Sequence, residues 1–304
     1  MPITVYQPIM FGDTSSDLGG HTRSPGQAIS LHLPGISDTQ SLIGDADSLL
    51  GQAIGGDDTL TAFAYAGSLV IGDARTIGDR AHGGNDSVFA QSMTNAVALG
   101  DALTMSGRAQ GGNDSVNAQG GTAAAYGDAY SMTDHARGGD DTVTGGGFPL
   151  ATTHLYGDAQ TLSGYAVGGN DVLIAAVSAN VPVATAMYGD GEQLLGHAIG
   201  GNDTLVSATN GNDQMWGDAA VVAPTAVRGA DTFVFSISNG HDQIMDFQPG
   251  VDHIQLNGFG FGSFSDLAQH IQYTPQGASI VFDANDSILI IGVTQLSASD
   301  FTLT

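Results

Sequence analysis

Apolar residues recur along this chain at fixed distances from a short Gly-Asp signature. The signature stands at Gly44-Asp45, Gly72-Asp73, Gly100-Asp101, Gly127-Asp128, Gly157-Asp158, Gly189-Asp190 and Gly217-Asp218. Two residues after each glycine come Ala46, Ala74, Ala102, Ala129, Ala159, Gly191 and Ala219; five after it, Leu49, Ile77, Met105, Met132, Leu162, Leu194 and Val222. Nine after it is alanine in every copy, from Ala53 to Ala226, and sixteen after it are Leu60, Val88, Val116, Val143, Leu173, Leu205 and Phe233. Small and medium side chains at matching phases are how stacked coils fill a narrow interior. Period-two runs such as Thr59-Leu60-Thr61-Ala62-Phe63 predict strands, and glycines interrupt every candidate helix. The residue before each glycine is Ile43, Ile71, Leu99, Tyr126, Tyr156, Tyr188 and Trp216. That column is read as packing, with an aromatic stack in the later copies.

A second signature follows the first at a constant distance of 11 residues. It reads Gly-Gly-Asn-Asp or Gly-Gly-Asp-Asp and begins at Gly55, Gly83, Gly111, Gly138, Gly168 and Gly200. The return to the next copy takes 16 to 21 residues. A fixed half and a variable half describe a coil with one packed side and one looped side. The predicted fold is therefore all-β: a right-handed parallel β-solenoid, of the β-roll or β-helix kind, with a β-rich C-terminal cap. Residues 1–40, with Phe11-Gly12-Asp13 but Arg23-Ser24-Pro25-Gly26 where Gly-Gly should stand, form an N-terminal cap built on a degenerate copy. Residues 41–230 form seven coils, a rod about 34 Å long at roughly 4.8 Å per strand. Residues 231–304 are expected to close the rod with hairpin-like strands and one short helix around Phe264 to Gln269. The return loops, including Gln119 to Thr122, Gly145 to Phe148 and Asn180 to Pro182, vary most and would carry any partner specificity.

Charge turns this scaffold into a question about cations. The 304 residues include 31 acids against six arginines and no lysine, a formal charge of -25. That balance excludes a nucleic-acid partner and adhesion to anionic membranes. No apolar stretch is long enough for a bilayer, so no stable membrane insertion is expected. There is no cysteine, hence no thiolate metal site. In register, the stack aligns Asp45, Asp73, Asp101, Asp128, Asp158 and Asp190 in one column, and Asp58, Asp86, Asp114, Asp141, Asp171 and Asp203 in another. Unit charges one strand apart repel by roughly 0.9 kcal/mol in bulk water and several times more at a protein surface. Oxygen-rich turns without cysteine or regular histidine spacing select a hard ion, and flexible multidentate geometry favours Ca²⁺. Asn85, Asn113, Asn170 and Asn202, with Asp57 and Asp140 in the two-acid copies, are the adjoining candidate ligands. A metal-free alternative stands beside this reading, in which the asparagines stack as an amide ladder.

These turns resemble the nonapeptide Gly-Gly-x-Gly-x-Asp-x-aliphatic-x of the repeats-in-toxin, or haemolysin-type calcium-binding, family. Gly201-Asn202-Asp203-Thr204-Leu205 covers its fourth to eighth positions, and the other copies fit likewise. The resemblance implies that the aspartate there ligates calcium together with turn carbonyls. The first two glycines of the nonapeptide are replaced, as by Ala198 and Ile199, and the Gly-Asp column matches no family position; its acids are read either as further ligands or as solvent-facing charges. The tail also resembles the family's type I-secreted members, in Asp231-Thr232-Phe233-Val234-Phe235, in Asp242-Gln243-Ile244-Met245-Asp246-Phe247, in Gly250-Val251-Asp252-His253-Ile254-Gln255-Leu256 and in the ending Asp300-Phe301-Thr302-Leu303-Thr304. That likeness implies an uncleaved C-terminal export signal read by the type I secretion machinery, in place of the N-terminal signal peptide that Met1 to Pro8 does not form.

Neither His-Glu-x-x-His nor Gly-x-Ser-x-Gly occurs, and about 40 residues ahead of the repeats are too few for a catalytic domain, so no enzyme activity is expected. The function expected is a secreted calcium-binding repeat protein, extracellular or at the cell surface, with a structural or matrix role and folding on calcium after export. Three alternatives stand beside it: a self-associating filament or layer protein, a membrane-active effector, and a glycan-acting β-helix enzyme.

Overall fold

A computed structural model of the chain describes residues 3–33, 35, 37–146, 152–175 and 184–304. The return loops around Phe148 and Asn180 lie outside these residues. Each of the seven repeat coils contributes one strand to each of three parallel ladders. The first sheet has 12 strands and takes those that precede Gly-Asp, such as Thr39–Ile43 and Gly67–Ile71. The second has seven, from Ala46–Leu49 to Ala219–Val222, and the third has ten, from Ala28–Leu33 to Phe301–Leu303. The predicted parallel β-solenoid is what the chain forms.

Pairing is in phase. Ala102 stands between Ala74 and Ala129, and Met105 between Ile77 and Met132. The alanines at the ninth position, Ala53 to Ala198, are fully buried with them in one core. Leu60, Val88, Val116, Val143, Leu173, Leu205 and Phe233 belong to a second core between the first and third sheets. Such constancy follows from the stack, because a larger residue in one coil would collide with its copies one strand away on either side.

The residue before each Gly-Asp faces a third cluster on the other side of the first sheet, covered by Ile3, Val5 and Tyr6 of the N-terminal segment. There Tyr126, Tyr156, Tyr188 and Trp216 form the expected stack, with ring centroids 4.6, 5.0 and 4.6 Å apart and planes within 15°.

Both ends extend the solenoid. Ile9–Phe11 pairs in parallel with Thr39–Ile43, and Ala28–Leu33 with Thr59–Ala64, so the degenerate copy is a genuine first coil. After Asp231 the second sheet stops, yet Thr232–Ser236, His241–Ile244, His253–Asn257, Ser287–Ile291 and Phe301–Leu303 continue the other two ladders in parallel. Among the described residues, hairpin pairing is confined to Ile271–Thr274, Gly277–Val281 and Ser287–Ile291. The short helix is Phe264–Leu267, with the Ser263 side chain accepting the Asp266 N–H at its start.

Candidate metal columns

The constant 11-residue spacing has a structural cause. The Gly-Asp signature turns the chain from the first sheet into the second, and the Gly-Gly signature then brings it back past the same aspartate. The Gly112 N–H donates to Asp101 at 3.1 Å, Gly139 to Asp128 at 2.9 Å, Gly169 to Asp158 at 2.6 Å and Gly201 to Asp190 at 2.5 Å. Gly56 and Gly84 do the same for Asp45 and Asp73. Asp45, Asp73, Asp101, Asp128, Asp158 and Asp190 are therefore completely buried, and of the two readings of this column, solvent-facing charges are excluded.

The second column bonds along the stack instead of within the coil. The backbone N–H of Asp58 donates to Asp86 Oδ1 at 2.6 Å, and that of Asp86 to Asp114 Oδ1 at 2.6 Å. The chain of bonds continues through Asp141, Asp171 and Asp203 to Asp231. These acids are also buried.

Each column thus spends one carboxylate oxygen on a backbone donor and leaves the other without one. Counting Asp218 and Asp231 as the seventh members, twelve of the fourteen carboxylates hold a buried oxygen that no hydrogen bond reaches; only Asp73 and Asp218 do not. These oxygens face the glycines. A side chain on Gly72 would collide with Asp86 Oδ2 and the Gly100 carbonyl oxygen, and one on Gly111 with Asp101 Oδ2 and an oxygen of Asp128. Only glycine leaves the space in which carboxylate and carbonyl oxygens from successive coils gather.

Electrostatics follow from that geometry. Burial raises the carboxyl of Asp114 to about 8, and those of Asp58 and Asp158 to about 7. Burial comes first for Asp101 as well, and Asp114 in the opposite column pushes it further up, as Asp203 does for Asp190. The two columns act as one file of mutually repelling acids.

The remaining candidates lie elsewhere. Asp57, Asn85, Asn113, Asp140, Asn170 and Asn202 are exposed, and their side chains run up the outside as a ladder. Asn85 Oδ1 accepts the Asn113 N–H at 2.8 Å, Asn113 Oδ1 that of Asp140 at 3.0 Å, Asp140 that of Asn170 at 2.8 Å and Asn170 Oδ1 that of Asn202 at 2.9 Å. The structure does not bring them into the buried file.

Sequence reasoning missed a third buried acid pair, at the corner where the third sheet returns to the first. Asp213 accepts N–H bonds from Thr185 and Ala208, and Asp242 accepts from the Asp213 N–H, Ser207 Oγ and Asn239 Nδ2. The signal was present in Gly211-Asn212-Asp213 and Gly240-His241-Asp242, out of phase with the main repeat. Every oxygen of this pair has a donor, so it serves as an internal contrast: buried acids here are satisfied by the protein, whereas the file is not.

The donor set of the file fits a hard cation. It consists of carboxylate and carbonyl oxygens without sulfur or nitrogen, and unpaired buried carboxylate oxygens are the groups most costly to leave without a partner. Among the described residues no group of three acid or histidine side chains gathers at one point. The acids are strung along the axis, with backbone carbonyls between them.

A parallel β-solenoid whose turns line its interior with acids is a repeat protein of stacked coils. Residues 25–304 match the family described as Peptidase M10 serralysin C terminal, and the chain belongs to it. This is the repeat-bearing region of that group, whose repeats bind Ca²⁺ and whose members leave the cell by type I secretion; the match does not include a protease catalytic domain. A comparison with curated proteins gives no match.

Proposed function

We propose that this chain is an exported calcium-binding rod that folds when Ca²⁺ enters the buried file, and that its work outside the cell is structural, at the surface or in a matrix. The observation that carries the reading is the row of carboxylate oxygens, buried and without donors, at Asp58, Asp86, Asp114, Asp141, Asp171 and Asp203. Those aspartates, their partners in the Gly-Asp column and carbonyls such as that of Gly100 would hold the ion, which supplies the positive charge the file lacks.

Binding of this kind is folding free energy. In the low calcium of a cytosol the ionised file opposes stacking and leaves the chain extended for the type I machinery; outside, millimolar calcium drives it to coil. Among the described residues no helix is long and apolar enough to cross a membrane, which accords with a role outside the bilayer. The test is a calcium titration of metal-stripped protein at pH 8, followed by far-ultraviolet circular dichroism, with magnesium as the control. A cooperative gain of β signal with calcium and a much weaker one with magnesium is expected. A full β spectrum in chelator, unmoved by calcium, would refute it.

A further inference from the structure

The file of acids stops at both ends, and the residue that stops it occupies the same place in the coil each time. Parallel pairing sets Arg23 against Ile54 and Val227 against Ile199, so Ser24 stands where Gly55 stands and Arg228 where Gly200 stands. Every coil between has glycine at that place. In those coils the glycine keeps open the space beside the Gly-Asp carboxylates.

At the N-terminal end this space is filled by donors. Ser24 Oγ donates to Asp13 Oδ2, and Gln27 Nε2 donates to Asp13 Oδ1. Gln27 itself takes the place of the second-column acid, since its backbone N–H donates to Asp58 Oδ1 at 2.6 Å, the bond each aspartate of that column makes to the next. Both oxygens of Asp13 are therefore satisfied, whereas Asp45, one coil on, already has an oxygen without a donor.

At the other end the filler is a fixed positive charge. Arg228 Nε lies 3.9 Å from Asp218 Oδ2, and Gln248 Nε2 donates to the same oxygen at 3.4 Å. Past Asp231, the last acid with a buried oxygen that no donor reaches, the acids are satisfied by backbone: Asp246 accepts from Gly217 and Asp218, and Asp252 from Asp231 and Gln248.

We infer that Ser24 with Gln27 at one end, and Arg228 at the other, are built-in terminators that take the place of a divalent cation and confine ion loading to the coils between them. The inference rests on the calcium reading above and adds to it a rule for where loading ends. A hydroxyl, an amide and a guanidinium do at the ends what a cation does inside, and they are not lost in chelator. The Gly-Asp acids of the terminal coils, Asp13 and Asp218, thus stay satisfied without metal and offer a template on which the interior coils stack.

Native mass spectrometry in calcium, on the full chain, counts the ions. Arg228→Gly restores the repeat residue and is expected to bind one ion more than the wild type, while Arg228→Lys keeps the wild-type count. The double variant Ser24→Gly/Gln27→Asp tests the opposite end independently, again with one ion gained. Calcium on the wild type with no gain in either folded variant overturns the inference alone. No calcium on the wild type overturns it together with the reading beneath it. Should Arg228→Gly fail to fold in calcium, the count on the N-terminal double variant decides.

Discussion

Asp114→Asn separates the two roles of the file because its effect should reverse sign with calcium. Burial holds the Asp114 carboxyl at about 8 against an ordinary 3.8. Between those values the folded, metal-free chain binds a proton that the unfolded chain has released. Stability of the metal-free rod is therefore greatest at acid pH and falls as pH rises from about 4 to about 8. Once ionised, this one residue costs on the order of 5 kcal/mol, comparable with the whole stability of a typical domain, about 5–15 kcal/mol. Asparagine removes that cost and keeps the geometry. Its Oδ1 still accepts the Asp86 N–H, which lies at 2.6 Å. Its Nδ2 replaces the unpartnered oxygen, and it faces the Gly127 carbonyl oxygen, which converges with that oxygen on Gly100. In chelator, circular dichroism followed from pH 5 to pH 9 should show the wild type losing β structure as pH rises, with the midpoint for Asp114→Asn moved upward. In millimolar calcium at pH 8 the same variant lacks a ligand and should melt below the wild type. A variant that melts lower than wild type in both conditions, or is unchanged in both, would refute the reasoning.

Two further outcomes follow from the same geometry. Gly100→Ala puts a methyl group against Asp114 Oδ2 and the Gly127 carbonyl oxygen, both within the close-packed file; overpacking of this kind costs about 1–3 kcal/mol or more, and thermal melts in calcium should show the loss together with weaker calcium affinity by titration. Asn170→Ala removes one rung of the exposed ladder, where Asn170 Oδ1 accepts from Asn202; a loss of about 1 kcal/mol in denaturant melts is expected, with the number of bound calcium ions unchanged, whereas a lost ion would return Asn170 to the ligand set.

Much of the solenoid was legible because it is a matter of phase. Ala53 and its six copies, or Leu60 and its counterparts, repeat at positions where only a stacked coil buries them together, and the column from Ile43 to Trp216 announced its stack in the same way. The acids were harder. Gly-Asp before a strand looks like any exposed turn, and nothing local says that the chain returns 11 residues later to bury Asp45 beneath the Gly56 N–H. The outer asparagine ladder, by contrast, sits one residue from the buried acids, and alternation along the turn sends Asn85 outward and Asp86 inward. In the C-terminal region the coil loses its second-sheet strand, so the spacing changes while parallel pairing persists. Alternating strands such as Thr232–Ser236 and His253–Asn257 therefore read as hairpin-like although they pair in parallel, whereas Ser287–Ile291 does both, in a hairpin with Gly277–Val281 and in parallel with His241–Ile244.

The single tryptophan of the chain, Trp216, ends the column of stacked tyrosines. Light absorbed by Tyr126, Tyr156 or Tyr188 can pass along neighbouring rings and leave as indole emission only while those coils sit one upon another. The molecule thus carries an optical gauge of its own assembly: the share of tyrosine excitation that emerges from Trp216 reports, without any added dye, how far ordering has travelled along the rod.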